Sequence, residues 1–210
     1  MKITNCVLTT FLGISGFVST LPASAQDGLY ELPGYVTQSV IDGDALSHTR
    51  GRFAVNMAAG DSNAQVNAGA LAIDPSGGSA VANVISHQSV GQNSITAPDL
   101  SIAIIGDRAF TNSVGAISVN QTSGVGNTQA NGMAIALGVE VEAVSESLLS
   151  ATASGVGLNS VDSNSGDKAA TISNTAFQGS HGLVQINQSA GSGNSTANNF
   201  AFQLQLGVKH

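Results

Sequence analysis

Three stretches of this chain align on one another without a gap, and no other feature constrains the fold as strongly. Residues 51–73 read GRFAVNMAAGDSNAQVNAGALAI, 115–137 read GAISVNQTSGVGNTQANGMAIAL, and 182–204 read GLVQINQSAGSGNSTANNFAFQL. The offsets are 64 (Gly51 to Gly115) and 67 (Gly115 to Gly182), with glycine, valine or isoleucine, and asparagine returning in register. A supersecondary unit copied along a chain buries its apolar face against its own copies. The implied architecture is a stack rather than a globule built around a catalytic pocket.

Within each copy the pattern has a period of two. In the middle copy Ile117, Val119 and Gln121 alternate with Ala116, Ser118 and Asn120; after Gly124-Val125-Gly126, the series Asn127, Gln129, Asn131, Met133, Ile135, Leu137 alternates with Thr128, Ala130, Gly132, Ala134, Ala136. Alternation of this length belongs to strands. The third copy repeats it, and the predicted apolar face comprises Val119, Ile135, Leu137, Ile186, Phe200, Phe202 and Leu204. The other face carries small residues that let a second sheet approach. The Ala-rich stretch from Met133 to Ser150 also admits a helix, but its alternation favours a strand. Gly60, Gly124 and Gly191, the last two followed by Gly126 and Gly193, supply positive φ at a tight turn. Each copy therefore reads strand, turn, strand, either as a hairpin or as an arch.

Two worn copies, near 84–105 and 151–172, keep the glycine-then-asparagine turn at Gly91 and Gly155. The turn glycines 60, 91, 124, 155 and 191 are then spaced 31, 33, 31 and 36 apart. The predicted fold is all-β: a β-solenoid of stacked, cross-β-like strand-turn-strand units, about five repeats of 31–36 residues filling 46–208. Ahead of it, residues 1–25 have a basic start at Lys2, an apolar run and an Ala23-Ser24-Ala25 cleavage pattern, which predicts a signal peptide. Residues 26–45 match no copy and are expected to form a mobile leader.

Composition excludes several classes. Charged residues make up 9% and aromatics 4%, yet apolar residues reach 42% and recur with order, unlike a charged disordered chain. The net charge of −7, or −8 without Lys2, argues against nucleic acid and anionic lipid as partners. No stretch after the signal peptide offers ~20 consecutive apolar residues, so no transmembrane segment is expected in the exported chain. Cys6 leaves with the signal peptide, which removes disulfide and cysteine-metal chemistry. His48, His87, His181 and His210 are too scattered for a metal site, and Glu140, Glu142 and Glu146 read as solvating charges or gatekeepers against uncontrolled pairing. With no nucleophile, phosphate-loop or dinucleotide pattern, the chain is expected to be neither an enzyme nor a cofactor binder.

Stacked copies at the ~4.8 Å spacing of paired strands would align equivalent amides into ladders. Four rows follow from the alignment: Asn56, Asn120 and Asn187; Asn63, Asn127 and Asn194; Asn67, Asn131 and Asn198; and Gln121 with Gln188. The string Val119 to Asn131, echoed by Ile186 to Asn198, resembles the Gln/Asn-and-Gly repeats of secreted bacterial functional-amyloid subunits, the curlin type and especially the Fap fibre type. That resemblance implies export through the periplasm and an outer-membrane secretion apparatus to the extracellular surface. It also implies assembly with itself and related fibre subunits, in support of adhesion and biofilm. Met57 in place of a ladder glutamine, the long spacing and the two worn units point to a minor or accessory subunit. The competing expectation is a soluble monomeric β-solenoid that binds a surface or glycan; capped ends would distinguish it.

Overall fold

Among the described residues the alternating segments become eleven strands, and every pairing between them is parallel. The structure is a computed structural model that describes residues 34–90, 96–140, 151–154 and 166–205. A first set comprises β1 (Val36–Ile41), β2 (Arg50–Ala59), β3 (Ala64–Ser79) and β4 (Ser86–Ser89). A second comprises β5 (Leu100–Ile105), β6 (Val114–Ser123), β7 (Thr128–Glu140) and β8 (Ala151–Ser154), and a third β9 (Asp167–Ile172), β10 (His181–Ala190) and β11 (Ser195–Gln205). Sheets form across the sets: β1-β5-β9, β2-β6-β10, β3-β7-β11 and β4-β8. Among the described residues, strands consecutive in the chain do not pair with each other, so the described turns are arches between sheets and not hairpins within one.

Each set is one rung of a stack. Val119 pairs with Val55 on one side and Ile186 on the other, steps of one full long repeat. The unit along the stack is therefore the 64- or 67-residue period, and the 31–36-residue units expected from glycine spacing are halves of a rung. Strong copies pair only with strong copies, and the worn segments fall into the other two sheets. In-register pairing of unlike halves would have set Asn and Gln against aliphatic residues, leaving buried amides unpartnered. Gly91 and Gly155 lie outside the described residues, as does the predicted signal peptide.

The leader expected at 26–45 is corrected in its second part. Val36–Ile41 is β1, paired in register with Leu100–Ile105, and residues 42–49 form the first corner of rung one. Its kinship with β5 rests on matched alternation, Thr37 and Ser39 over Ser101 and Ala103, which identity matching overlooks.

Two apolar layers hold the sheets together. From β2, β6 and β10, Phe53, Val55, Met57, Ile117, Val119 and Ile186 pack on Ile41, Ile105, Ala109 and Phe110. The first corner delivers the aromatic part of this core. Leu46, Phe110 and Phe177 occupy equivalent places with φ of 53°, 62° and 59°, a left-handed conformation costing ~1–3 kcal/mol at a non-glycine residue. Burying the Phe110 ring, 1% exposed, returns about 1.5–3 kcal/mol. The Phe110 and Phe177 rings also stack with centroids 4.7 Å apart and planes within 1°. On the other side, the small residues Ala68, Ala70, Ala72, Ala134 and Ala136 admit the segment carrying Ala80, Ala82 and Val84.

At the first corner Arg108 of rung two donates Nε and Nη2 to Asp44 of rung one, both at 2.9 Å. This guanidinium holds the Asp44 carboxyl below its usual range. Its contribution is present above the ordinary carboxylate pKa and lost as pH falls through the lowered one. Exposure of both side chains to water keeps it small.

Rung spacing leaves no room for a side chain at the glycine column of the second corner. Gly124 has φ of 124°, and a Cβ there would lie 1.9 Å from the carbonyl oxygen of Gly191. Gly43 also has positive φ, 65°, but faces open space. Gly124→Ala is expected to cost about 3 kcal/mol or more, and Gly43→Ala about 1 kcal/mol, in urea melts followed by circular dichroism. Equal midpoint shifts would show that backbone strain, and not stacking distance, makes glycine necessary at the second corner.

Candidate functional site

The second corner folds β3, β7 and β11 back over β2, β6 and β10, so that two asparagine rows meet inside the arch. On β6, Val119 points to one neighbouring sheet and Asn120 to the other, as alternation requires. Asn120 Nδ2 donates to Asn56 Oδ1 at 3.0 Å and to the Val66 carbonyl at 2.8 Å. Its Oδ1 accepts from Asn187 Nδ2 at 3.0 Å and Asn131 Nδ2 at 2.9 Å. Asn131 Nδ2 also donates to Asn67 Oδ1 at 2.9 Å, and Asn198 Nδ2 donates to Asn131 Oδ1 at 3.1 Å. The rows 56/120/187 and 67/131/198 are thus cross-linked into a double ladder running through all three rungs.

A third row lines the second corner. Asn127 Nδ2 and backbone N–H both donate to Asn63 Oδ1, at 2.9 and 3.0 Å, and Asn194 repeats this on Asn127 Oδ1 at 2.8 and 2.9 Å. All three rows share a polarity: each rung donates to the rung before it. The glutamine row faces the opposite way, toward β1, β5 and β9. There Gln188 Nε2 donates to Gln121 Oε1 at 2.9 Å, and Gln121 Nε2 to the Ser39 and Ile104 carbonyls at 2.9 and 2.8 Å.

Burial differs sharply along the stack. Asn120, Gln121 and Asn127 are 0% exposed and Asn131 is 1% exposed. Each unpartnered amide at such depth would cost ~1–3 kcal/mol, and here the neighbouring rungs supply the partners. Among the described residues, rungs one and three carry the same rows but pair with a strand on one side only, and Asn56, Asn63, Asn67, Asn194 and Asn198 remain partly or fully exposed, whereas Asn187 is 5% exposed. Beside the Asn63 corner, the Tyr35 hydroxyl donates to Asp61 Oδ2 at 3.2 Å. Its pKa is raised, by burial first and by that carboxylate second.

The apolar face expected from sequence divides in two. Val119 and Ile186 point into the core beneath the first corner. Ile135, Leu137, Phe200, Phe202 and Leu204 continue along the other sheet back toward the start of β6 and β10, where Phe202 and Leu204 are 44% and 45% exposed. The corner glycines Gly60, Gly124 and Gly191 stack carbonyl to Cα, and Gly126 and Gly193 take φ of 68° and 69°. Ser62 holds the matching place in rung one at φ 55°. Of the histidines, His48 lies in the first corner, His87 on β4 and His181 at the start of β10.

Sequence reasoning missed two parts of the site. Gln65 Nε2 donates to Gln129 Oε1 at 2.7 Å, a short row ended by Thr196 in rung three. The other is the first-corner motif Ala45-Leu46, Ala109-Phe110, Ala176-Phe177 with Thr49, Ser113 and Ser180. It obeys the same long-repeat offsets and becomes visible once the alignment is extended six residues upstream of Gly51.

Asn131→Asp removes the donor to three oxygens in the closed middle rung. Burial and the facing oxygens would raise that carboxyl's pKa, so the loss, about 3 kcal/mol at pH 7, is expected to be relieved as the pH falls toward ~3.9. Asn198→Asp, open to water in rung three, is expected to cost less. Urea midpoints measured from about pH 3 to pH 7 check both; a pH-independent deficit in Asn131→Asp would refute the charge explanation.

A repeat chain whose amides are satisfied by copies of themselves has the physical character of an amyloid subunit. No solved structure matches the chain. The family model described as the functional amyloid protein FapB/FapC family matches residues 21–205. This is a family of structural amyloid proteins rather than enzymes, and with a match over most of its length the chain belongs to the functional amyloid protein FapB/FapC family.

Proposed function

We propose that this chain assembles with itself and with related fibre subunits into extracellular amyloid fibres that serve adhesion and biofilm, each copy contributing three rungs to a continuous stack. The supporting observation is the contrast between rungs. Among the described residues the middle one is closed and hydrogen-bonded on both sides, while the outer two leave Asn56, Asn63, Asn67, Asn194 and Asn198 partly or fully exposed and strand edges without a further strand. A parallel strand edge with unpaired backbone groups is a template for another chain. Partners at both edges would bring the outer rungs to the state of the middle one.

Export through the periplasm and an outer-membrane apparatus is part of the proposal. Its support is the signal-like pattern of residues 1–25 together with family membership. A minor or accessory role is supported by imperfect rows. Met57 stands in line with Gln121, and Thr196 in line with Gln129 has a buried hydroxyl without a partner among the described residues.

Chain lacking residues 1–25 is expected to convert to thioflavin-positive fibres with a ~4.8 Å meridional reflection. Mass-per-length measurement should give one chain per ~14 Å, three strand spacings. Persistent monomer with a sharp thermal transition would overturn self-assembly, and one chain per ~4.8 Å would overturn the rung count.

A further inference from the structure

The two ends of the stack carry different charges, and these bear on how a second copy would dock. In β9, Lys168 pairs in register with Ser101, which pairs with Thr37. The first two levels of this column are buried, Thr37 4% and Ser101 1% exposed, while Lys168 is exposed at the open end. Its stem runs beside the second corner, Cδ and Cε lying 2.8 and 3.0 Å from the Cβ position of Gly191. Lys168 has no ion-pair partner among the described residues. A lysine directed into a column that is buried elsewhere blocks a further strand unless that strand brings a carboxylate.

Rung one brings one. The residue after the corner glycine is Asp61, in line with Val125 and then Ser192. Neither Val125 nor Ser192 is acidic, so only rung one has a carboxylate at this place. Asp61 is exposed at the opposite end of the stack, next to Tyr35 on the side from which β1 begins. Placing rung one of a second copy on rung three at the strand spacing of ~4.8 Å puts its Asp61 one level above Ser192, within reach of the Lys168 ammonium. The same placement continues the corner row, since the backbone N–H of Asn63 would meet Asn194 Oδ1 as Asn127 meets Asn63 and Asn194 meets Asn127.

We propose that Lys168 and Asp61 form an intermolecular ion pair at each joint, which selects a second copy of this chain in head-to-tail orientation and sets its register. This rests on the self-assembly proposed above. Docking two rung-three ends together would instead bring Lys168 against Lys168, and two rung-one ends Asp61 against Asp61. The pair thus disfavours both inverted contacts and opens the lysine-blocked edge to one partner surface.

The test uses charge reversal at two exposed positions, in chain lacking residues 1–25 at low ionic strength, with seeded elongation followed by thioflavin fluorescence and electron microscopy. Lys168→Glu alone and Asp61→Lys alone are each expected to elongate on their own seeds about tenfold more slowly than wild type. The double variant should recover the wild-type rate. So should an equimolar mixture of the single variants, because alternating copies restore an opposite-charge pair at every joint. Single variants that elongate as fast as wild type, or a mixture and double variant that stay slow, would overturn the joint while leaving self-assembly standing. Wild-type chain that forms no fibres would overturn both.

Discussion

A buried carboxamide offers donors on one side and an acceptor on the other, and in a parallel in-register stack the simplest complement is the same group one strand away. Asn120 illustrates this. It is fully buried, donates to Asn56 below, accepts from Asn187 above, and is cross-linked to Asn131 within its own rung. The parallel arrangement, the close rung spacing and the glycine corners all follow from keeping such groups in line. An antiparallel hairpin of the same residues would place unlike side chains opposite each other and break the rows. Hydrophobic burial is substantial, but it tolerates small displacements, whereas the amide rows do not.

Much of this was legible in the residues because the repeat is gapless where it matters. The rows 56/120/187, 63/127/194 and 67/131/198 follow from counting, and the strand period from alternation. The rung length did not follow, because the glycine spacing suggested a unit half as long. Sequence likeness marks what a segment is, but pairing depends on which neighbours satisfy it, and only strong halves satisfy strong halves. The split of the apolar face was hidden for a related reason. Val119 and Phe202 share a parity in the alignment, yet an arch lies between them and turns the second strand over. Leu46, Phe110 and Phe177 went unseen because their conformation is left-handed, which a propensity argument assigns to glycine or asparagine.

The change from 64 to 67 residues between successive rungs shows where the fold tolerates irregularity. Pairing keeps the 64-residue offset from β1 through Asp74 of β3, and the 67-residue offset from β9 to the end of β11. The register shift falls between Asp74 and Ser79, and Ser86 pairs with Ala151 at an intermediate offset. Length variation is therefore confined to the side built by β4 and β8, away from the amide rows. The corners at Gly60 and Leu46 are held at constant length because each contributes to a column that must stay aligned.

Rung one differs from the rungs above it at two columns of the core. Where rungs two and three stack Phe110 on Phe177 and link Gln121 to Gln188, rung one offers Leu46 and Met57. A filament made of whole chains would therefore be softer on both faces of rung one, but the face toward rung two is bridged by the continuous chain, which leaves one unbridged soft plane per molecule. Shear would cleave it at those planes, between molecules and not through them. Every fragment would then terminate in intact, immediately extendable faces, so that breakage multiplies growing tips without damaging a single subunit.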